Sequence, residues 1–411
     1  MKPERLMRGP ALAWHGPAGP RPWRRDRRTD PKMARVPSDL PVVTREVGDT
    51  LIVLGPGTVD RLPAYLDRLA RARAYLVASP SVASGRVGAR VTAALGGRLV
   101  GAYARVRPHV PVESVEEAFQ EARSRSPDMI LGLGGGSPIG TAKAVAARLL
   151  AEMDNPVACV VGALPTTYAG SEMTPVFGTT DFSRGRKTVV RNPFVRPRLA
   201  LYDPELAVET PPRLTASTGV NALAHCVEAL YSKRATDADR EMALRSAGLL
   251  IEHLPPCVAR PTDPYLRYRL FEASMEAGLV LAGAGMGIHH GLCHALGGRF
   301  NAPHGELNAI ILPHAMRFNL PVAEGAYLAL APAFGISARG REPSVVEEQV
   351  CRATSDFIRG LGLPQRLRDL GIKREGLAAV AQDALHSDSV RNNPRPVADV
   401  AEIVKILEAA W

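Results

Sequence analysis

Leu131-Gly132-Leu133-Gly134-Gly135-Gly136-Ser137-Pro138-Ile139-Gly140-Thr141-Ala142-Lys143 is the stretch on which the fold turns. A short apolar run, read as a strand over Met129–Leu133, meets three consecutive glycines. Ser137 then stands where a helix N-cap is expected. Pro138 follows at the first helical position, where its missing N–H costs nothing. Glycines let backbone N–H groups come close to a ligand, and the helix N-terminus beyond them favours negative charge. The run therefore predicts a strand–turn–helix that cradles a pyrophosphate. It is neither the G-x-G-x-x-G fingerprint nor the Walker pattern, because Lys143 follows the last glycine of the run by seven residues. A tight turn without a ligand fits the same residues.

Upstream, the same alternation repeats. Leu51–Leu54 is apolar and stops at Gly55-Pro56-Gly57-Thr58, a weaker candidate phosphate turn; Val59–Arg71 has helical spacing. Ala74–Ala78 reads as a strand and Ser84–Leu95 as a helix. Arg98–Val106, Val112–Arg125 and Met129–Leu133 continue as strand, helix, strand. Strands alternating with helices of this length indicate a parallel sheet built from βαβ units. After Asp203-Pro204 the strand signal fades, and Leu214–Ser232, Asp239–Leu254 and Tyr265–Leu296 read as helical. The expected architecture is α/β, with a parallel-sheet domain over 41–204 followed by an all-helical domain over 205–411. Dinucleotide sites often close their second strand with an acid that binds the adenosine ribose. Here that place reads Ala78-Ser79-Pro80-Ser81, so nothing repels a 2′-phosphate and NADH and NADPH both stay open.

Composition narrows the function classes. No run of about 18 apolar residues exists, which excludes a membrane-spanning helix by sequence. Five scattered cysteines without C-x-x-C spacing argue against a disulfide framework or a thiolate zinc site, and for a reducing, cytoplasmic setting. The net charge of +10 resembles a nucleic-acid signal until it is located. Residues 1–40 hold ten Lys/Arg against four Asp/Glu, and seven prolines, which predicts a disordered basic tail; the remaining chain carries only +4. Neither a nucleic-acid nor a membrane partner is expected.

The histidines carry the second chemical signal. Asn221 and His225 sit four apart within Leu214–Ser232, and His290 and His294 repeat that spacing, so each pair shares a helix face. Gly297-Gly298 is expected to end the second helix, with His304 in the loop beyond. His289 points about 100° away from His290, and a structural and a functional role both stay open for it. Three histidines plus a carboxylate would hold a catalytic divalent ion, but the residue one turn before His225 is an amide. The alternative uses the histidines as proton donors and polar anchors without a metal.

The glycine loop with Lys143, the segment Leu164-Pro165-Thr166-Thr167-Tyr168-Ala169-Gly170-Ser171-Glu172 and the set His225, His290, His294 and His304 resemble the iron-containing alcohol dehydrogenase superfamily. Its general members carry Asp where this chain has Gly140 and a metal-binding Asp where it has Asn221. Both departures, with Thr167–Pro175, Asn393-Pro394-Arg395-Pro396 and the spacing of Lys187 and Arg191, resemble the maleylacetate reductase branch. The match runs from about residue 45 to the end.

That resemblance implies a Rossmann-like N-terminal domain, a helical C-terminal domain of the dehydroquinate-synthase-like kind, NADH or NADPH in the cleft between them, and a homodimer. By position, Gly134, Gly135, Gly136 and Ser137 would hold the pyrophosphate, and Thr166, Thr167 and Ser171 would contact the cofactor. Asn221, His225, His290 and His304 would occupy former metal positions, with His294 near the nicotinamide and no metal required. The implied reaction is reduction of the C=C bond of 4-oxohex-2-enedioate to 3-oxoadipate. Hydride added β to a ketone leaves an enolate, so the site must steady an oxyanion and deliver one proton, work that Asn221 and the four histidines can share. A small dianionic substrate also wants cations: Lys187, Arg191 and Arg299 are the candidates, with Tyr168 as a further substrate contact. Two rival enzymes share the scaffold, a metal-dependent alcohol dehydrogenase and a non-redox or biosynthetic catalyst.

Overall fold

Short β-branched and leucine-rich runs become strands buried on both faces. In this computed structural model, which describes residues 40–411 apart from positions 156, 185 and 324, the first strands are β1 (Val43–Val47), β2 (Thr50–Leu54), β3 (Ala74–Ala78), β4 (Leu99–Tyr103) and β5 (Met129–Gly134). β6 (Val160–Pro165), β7 (Val176–Asp181), β8 (Arg186–Arg191) and β9 (Leu199–Tyr202) follow. The basic tail expected over 1–40 lies, as far as residue 39, outside the described residues. The helices of the first half are α1 (Leu62–Arg68), α2 (Pro80–Ala83), α3 (Arg86–Leu95), α4 (Val112–Arg123) and α5 (Gly136–Leu150). Beyond Tyr202 every described element is helical: α6 (Pro212–Tyr231), α7 (Asp237–Ala259), α8 (Pro264–Ala284), α9 (Ile288–Phe300) and α10 (His304–Asn319), then α11 (Ala326–Leu330), α12 (Pro343–Gly360), α13 (Leu377–Leu385), α14 (Asp388–Arg391) and α15 (Val400–Ala410), with short 3-10 turns between.

Seven strands form one sheet in the order β1-β2-β9-β6-β5-β3-β4, parallel except for the β1–β2 hairpin. β7 and β8 make a separate antiparallel ribbon. All residues of β2, β3, β5, β6 and β9 are buried, as a parallel sheet covered by helices on both sides requires. Strand pleating sorts them: Tyr75, Val77 and Ile130 pack with Phe119 and Val145 on one face, and Leu76, Ala78, Leu131 and Leu133 with Leu62, Leu66 and Val91 on the other. The chain runs from β3 outward to β4, then returns to place β5 on the opposite side of β3. Ligands of open α/β sheets bind at such a reversal, beyond the carboxyl ends of the strands. Gly134-Gly135-Gly136 lies at that point.

The helical half has one core around α6, α7 and α8 and another around α9, α10, α13 and α15. α6 is its axis, with every residue from Gly219 to Tyr231 buried. The continuous helical run expected over Tyr265–Leu296 is broken. Gly285 adopts a left-handed φ of 73° and α8 and α9 diverge by 99°. Gly287 is held extended where a Cβ would lie 2.8 Å from Asn393 Oδ1 and 3.0 Å from Glu228 Oε1. Two further boundaries differ from expectation. α9 continues through Gly297-Gly298 to Phe300 and ends on left-handed Asn301, and His304 opens α10 instead of lying in a loop. No single helix among the described residues is long and apolar enough to cross a membrane. All five cysteines are buried and unpaired.

Candidate active site

The phosphate cradle forms where β5 turns into α5. Gly135, not Ser137, is the N-cap, so the helix begins two residues earlier than the Ser-Pro pair suggested. Ser137 is the second residue of the helix, within its first turn, and its Oγ accepts from the His109 N–H (3.2 Å). A Cβ on Gly135 would lie 3.1 Å from Thr167 Oγ1 and one on Gly134 3.0 Å from Pro138, so side chains are excluded from the lip of the helix N-terminus. Thr166 follows β6, and its N–H donates to Gly134 O (3.0 Å), tying the second expected cofactor segment to the first. The backbone donors and the dipole of α5 suit a pyrophosphate, and the Gly134–Ser137 cradle with Thr166 and Thr167 beside it could hold a dinucleotide. Gly140 faces the opposite wall, with Val110 Cγ2 only 3.0 Å from where its Cβ would be. A side chain at that position would press on the Val110 methyl, which would have to give way.

Lys143 does not reach toward the cradle. It is fully buried, and its ammonium donates to the carbonyls of Ser171, Thr174 (2.8 Å) and Val176 (3.0 Å). Burial pushes its pKa down to about 7 and that of neighbouring Glu172 up to about 7. Ser171, expected at the cofactor, is thus engaged through its carbonyl by Lys143, which pegs the 171–176 segment to α5.

Tyr168 is also corrected. It is fully buried, packs on Phe271 and accepts a hydrogen bond on its hydroxyl from Arg267 Nη1 (2.9 Å). A side chain spent in this way belongs to the joint between sheet and helices, not to a substrate surface. Arg299, expected at the substrate, lies at the surface of α9 and is paired with Asp383 (2.7 Å). Arg191 is exposed at the end of β8, on the strand face shared with Lys187.

Three helices bring the histidines together. His225 from α6 stacks on His290 from α9 (4.6 Å between centroids, 18°), and His294 stacks on His304 from the start of α10 (5.4 Å, 21°). His290 lies 6.2 Å from His294 and 6.1 Å from His304. Burial first, then the neighbouring imidazoles and, at His294 and His304, the Lys187 charge, hold His225, His294 and His304 well below their usual pKa, so these rings are neutral near pH 7.

The partners of His290 decide its state. Its Nδ1 is 2.6 Å from Glu228 Oε2, both residues being 1% exposed, and its Nε2 is 3.2 Å from Asn221 Oδ1. The Asn221 amide is oriented by its own Nδ2, which donates to Ala169 O (3.3 Å). His289 Nε2 faces the carbonyl of Asn308 (3.2 Å) and so carries its proton there, leaving Nδ1 as a further acceptor 3.1 Å from His290 Nδ1. Glu228 Oε2 at Nδ1 and Asn221 Oδ1 at Nε2 are both acceptors, so each His290 ring nitrogen is turned toward a protein partner. His289 takes the structural role left open for it.

This arrangement tests the donor set for an ion. At Asn221, His225, His290 and His304, a neutral amide stands where an anionic ligand would, and its Oδ1 accepts a hydrogen bond from His290 Nε2, which leaves that nitrogen no lone pair for an ion. Glu228, His289 and His290 form a second trio with donor atoms within 4.8 Å of one another. In that trio, however, separations of 2.6 and 3.1 Å are hydrogen bonds between the would-be ligands. As arranged, hydrogen bonds tie up Asn221 and His290 in the first set and all three residues of the second.

Two residues with no assigned role in the sequence reading hold this geometry. Glu228 also accepts the Gly287 N–H on Oε1 (3.0 Å), and Asn393 Oδ1 accepts the Ile288 N–H (3.1 Å) while its amide pairs with Asn319. Together they cap the start of α9. Glu228 follows His225 by three residues, one helical turn, a spacing that could have revealed it; Asn393 stands in the Asn393-Pro394-Arg395-Pro396 motif, which by itself gives it no role.

Lys187 reaches the cluster from the β7–β8 ribbon. A Cβ on Gly178 would lie 2.8 Å from its Cε and one on Gly298 3.6 Å from its Cβ, so the stem runs in a slot between two glycines. Its charge acts on His294, His304 and His109. Among the described residues no carboxylate pairs with it, and burial lowers its pKa.

Two family models match the chain: iron-containing alcohol dehydrogenase over residues 49–204 and the C-terminal part of that family over 215–411. A maleylacetate reductase of Burkholderia cepacia is 37% identical over 346 residues, 84% of this chain and 91% of that protein. The crystal structure of maleylacetate reductase from Agrobacterium tumefaciens is 31% identical, with a TM-score of 0.75 over 91% of this chain and 99% of the other. A 1,3-propanediol oxidoreductase structure superposes at a TM-score of 0.83 with 27% identity, covering 90% and 99%. Backbone similarity alone thus does not separate the branches; further maleylacetate reductases, two of Cupriavidus pinatubonensis, are 34% and 39% identical over 84% and 70% of this chain. The chain belongs to the iron-containing alcohol dehydrogenase superfamily and is an oxidoreductase of its maleylacetate reductase branch.

Proposed function

We propose that this enzyme reduces the C=C bond of maleylacetate, or of a closely related enone or keto acid, with NADH or NADPH and without a metal. The observation that carries the reading is His290, bound on both nitrogens by Glu228 and Asn221 where relatives named for iron would place an ion. The unneutralised Lys187 ammonium beside neutral His294 and His304 supports an anionic substrate. A reduced dinucleotide whose pyrophosphate is held at the Gly134–Ser137 cradle would supply the hydride. Lys187 Nζ and the N–H groups of His294 and His304 offer donors to the oxygen that gains charge as an enolate, in a site where burial strengthens each contact. An imidazole of the same pair relays the proton to the carbon, taking one up at its second ring nitrogen as it gives one from the first, so that the ring ends neutral. Asn221 and His225 hold His290 in place through the amide contact and ring stacking. The reading includes a homodimer, a cytoplasmic setting, no nucleic-acid or membrane partner, and a division of labour between 41–204 for the cofactor and 205–411 for catalysis.

The test is NAD(P)H consumption with maleylacetate, with and without EDTA, on protein also assayed for metal. Undiminished turnover in EDTA is expected. Loss of activity on chelation, restored by zinc or iron, would move the enzyme to the metal-dependent alcohol dehydrogenases.

A further inference from the structure

The segment entering α4 contains two consecutive non-glycine residues in the left-handed region, His109 (φ 65°) and Val110 (φ 55°). Such conformations cost on the order of 1–3 kcal/mol each and persist where surrounding contacts over-determine them. Those contacts are visible here. The His109 N–H donates to Ser137 Oγ in the cradle (3.2 Å), and its carbonyl accepts from Thr180 Oγ1 (2.8 Å). The Thr180 N–H donates to Val110 O (3.0 Å), and the Val110 side chain closes against Gly140. Thr180 is the cross-strand partner of Lys187. The backbone of His109 is therefore stitched on one side to the cradle and on the other to the strand pair that carries Lys187. Its imidazole is half-buried and makes no hydrogen bond of its own among the described residues. Thr180 bridges His109 and Lys187, bonded to the carbonyl of the first and paired across the ribbon with the second, and burial, then the Lys187 charge, push the His109 pKa below the usual value.

We propose that His109 and Lys187 together form the subsite for a carboxylate of the substrate, His109 being the residue that sets the preference for an anionic over a neutral enone. An imidazole N–H donates to a carboxylate in either charge state, and Lys187 supplies the charge. The subsite rests on the reading of this enzyme as a reductase of an anionic keto acid, and it names the two groups that recognise that anion.

The experiment measures binding of adipate, a saturated dicarboxylate, by calorimetry to the full chain with NAD⁺ present, alongside KM values for maleylacetate, for a neutral enone and for NAD(P)H. Asn tolerates the left-handed conformation well, so His109→Asn keeps the backbone while removing the imidazole, and His109→Ala is the second variant. Both are expected to bind adipate about tenfold more weakly. The KM for maleylacetate should rise in proportion, with that for the neutral enone and for NAD(P)H within about twofold. Equal adipate affinity in wild type and His109→Asn, or no adipate binding by wild type, overturns the subsite. A rise confined to the NAD(P)H KM also overturns it, by placing His109 with the cofactor through Ser137. Failure of the wild type to reduce maleylacetate while it still binds adipate in a His109-dependent way refutes the reductase reading and leaves the subsite standing.

Discussion

Glu228 is the residue whose loss should be felt most sharply. Its carboxylate is buried, with one oxygen 2.6 Å from His290 Nδ1 and the other 3.0 Å from the Gly287 N–H. Glu228→Ala strands both donors in a dry interior. Breaking a buried pair from one side costs about 3–5 kcal/mol, because the partner is left uncompensated. Glu228→Gln is the sharper probe. The amide oxygen can keep the Gly287 contact, but its NH₂ then faces His290 Nδ1 where a carboxylate oxygen stood, so the ring loses its acceptor there. Urea unfolding should show the Ala variant less stable by about 3–5 kcal/mol and the Gln variant by about 1–3 kcal/mol. The kcat of the Gln variant should fall at least about tenfold with the NAD(P)H KM little changed, a loss of about 1.4 kcal/mol or more at the transition state. The pair also has a pH signature. Burial alone would raise the Glu228 pKa, but the His290 charge and hydrogen bond, with His289 and the Gly287 amide, hold it below the usual carboxylate value. A folded-state pKa below the unfolded one gives stability that is complete above the unfolded value and drains away as pH falls through the folded value. The wild type should lose this increment in the acid range below about pH 4.5, and Glu228→Gln should lack that dependence. Full stability and unchanged kcat in the Gln variant would refute the reasoning.

Other perturbations separate the parts of the site. Gly135→Ala places a methyl 3.1 Å from Thr167 Oγ1 at the lip of the cradle; the KM for NAD(P)H should rise about tenfold with kcat nearly intact, and an unchanged KM would mean the dinucleotide lies elsewhere. Lys187→Met keeps a stem between Gly178 and Gly298 and removes the charge. It should raise the KM for maleylacetate about tenfold or more while sparing that for a neutral enone, and equal effects on both would retire the anion-binding role. Tyr168→Phe removes the acceptor of the Arg267 bond, so thermal or urea unfolding should record a loss of about 1–2 kcal/mol with substrate KM unmoved. A selective rise in that KM would restore Tyr168 to the substrate surface.

Much of the α/β half is legible because local pattern and tertiary role coincide there: Ala74–Ala78 is apolar at every position and is a strand over the same residues. The later strands were harder to read. β7 and β8 form a ribbon outside the main sheet, with charged and exposed positions, so their pairing comes from tertiary docking and not from a hydrophobic run. The helix break at Gly285 is invisible to periodicity, since Ala- and Leu-rich sequence continues on both sides while Gly287 must leave space for Glu228 and Asn393. Ser137-Pro138 is a good N-cap signal that was overridden when three glycines let the helix start at Gly136. Within the site, i,i+4 spacing placed Asn221 with His225 and His290 with His294, because one helix fixes both members. It gave no access to the Glu228–His290 bond or to the Arg299–Asp383 and Tyr168–Arg267 pairs, whose members come from separate elements. Charge alone made Arg299 a candidate, and only the neighbour across the helix decides whether that charge is already spent.

The Asn393 clamp on the start of α9 has a consequence for how the enzyme comes into being. During synthesis His225, His289, His290, His294 and His304 all leave the ribosome before the residue that fixes the α8–α9 corner, which lies 105 positions after Ile288. Until that late segment docks, the imidazoles are present without their alignment, and a nascent chain or a product clipped before residue 393 would carry the reacting groups yet turn nothing over.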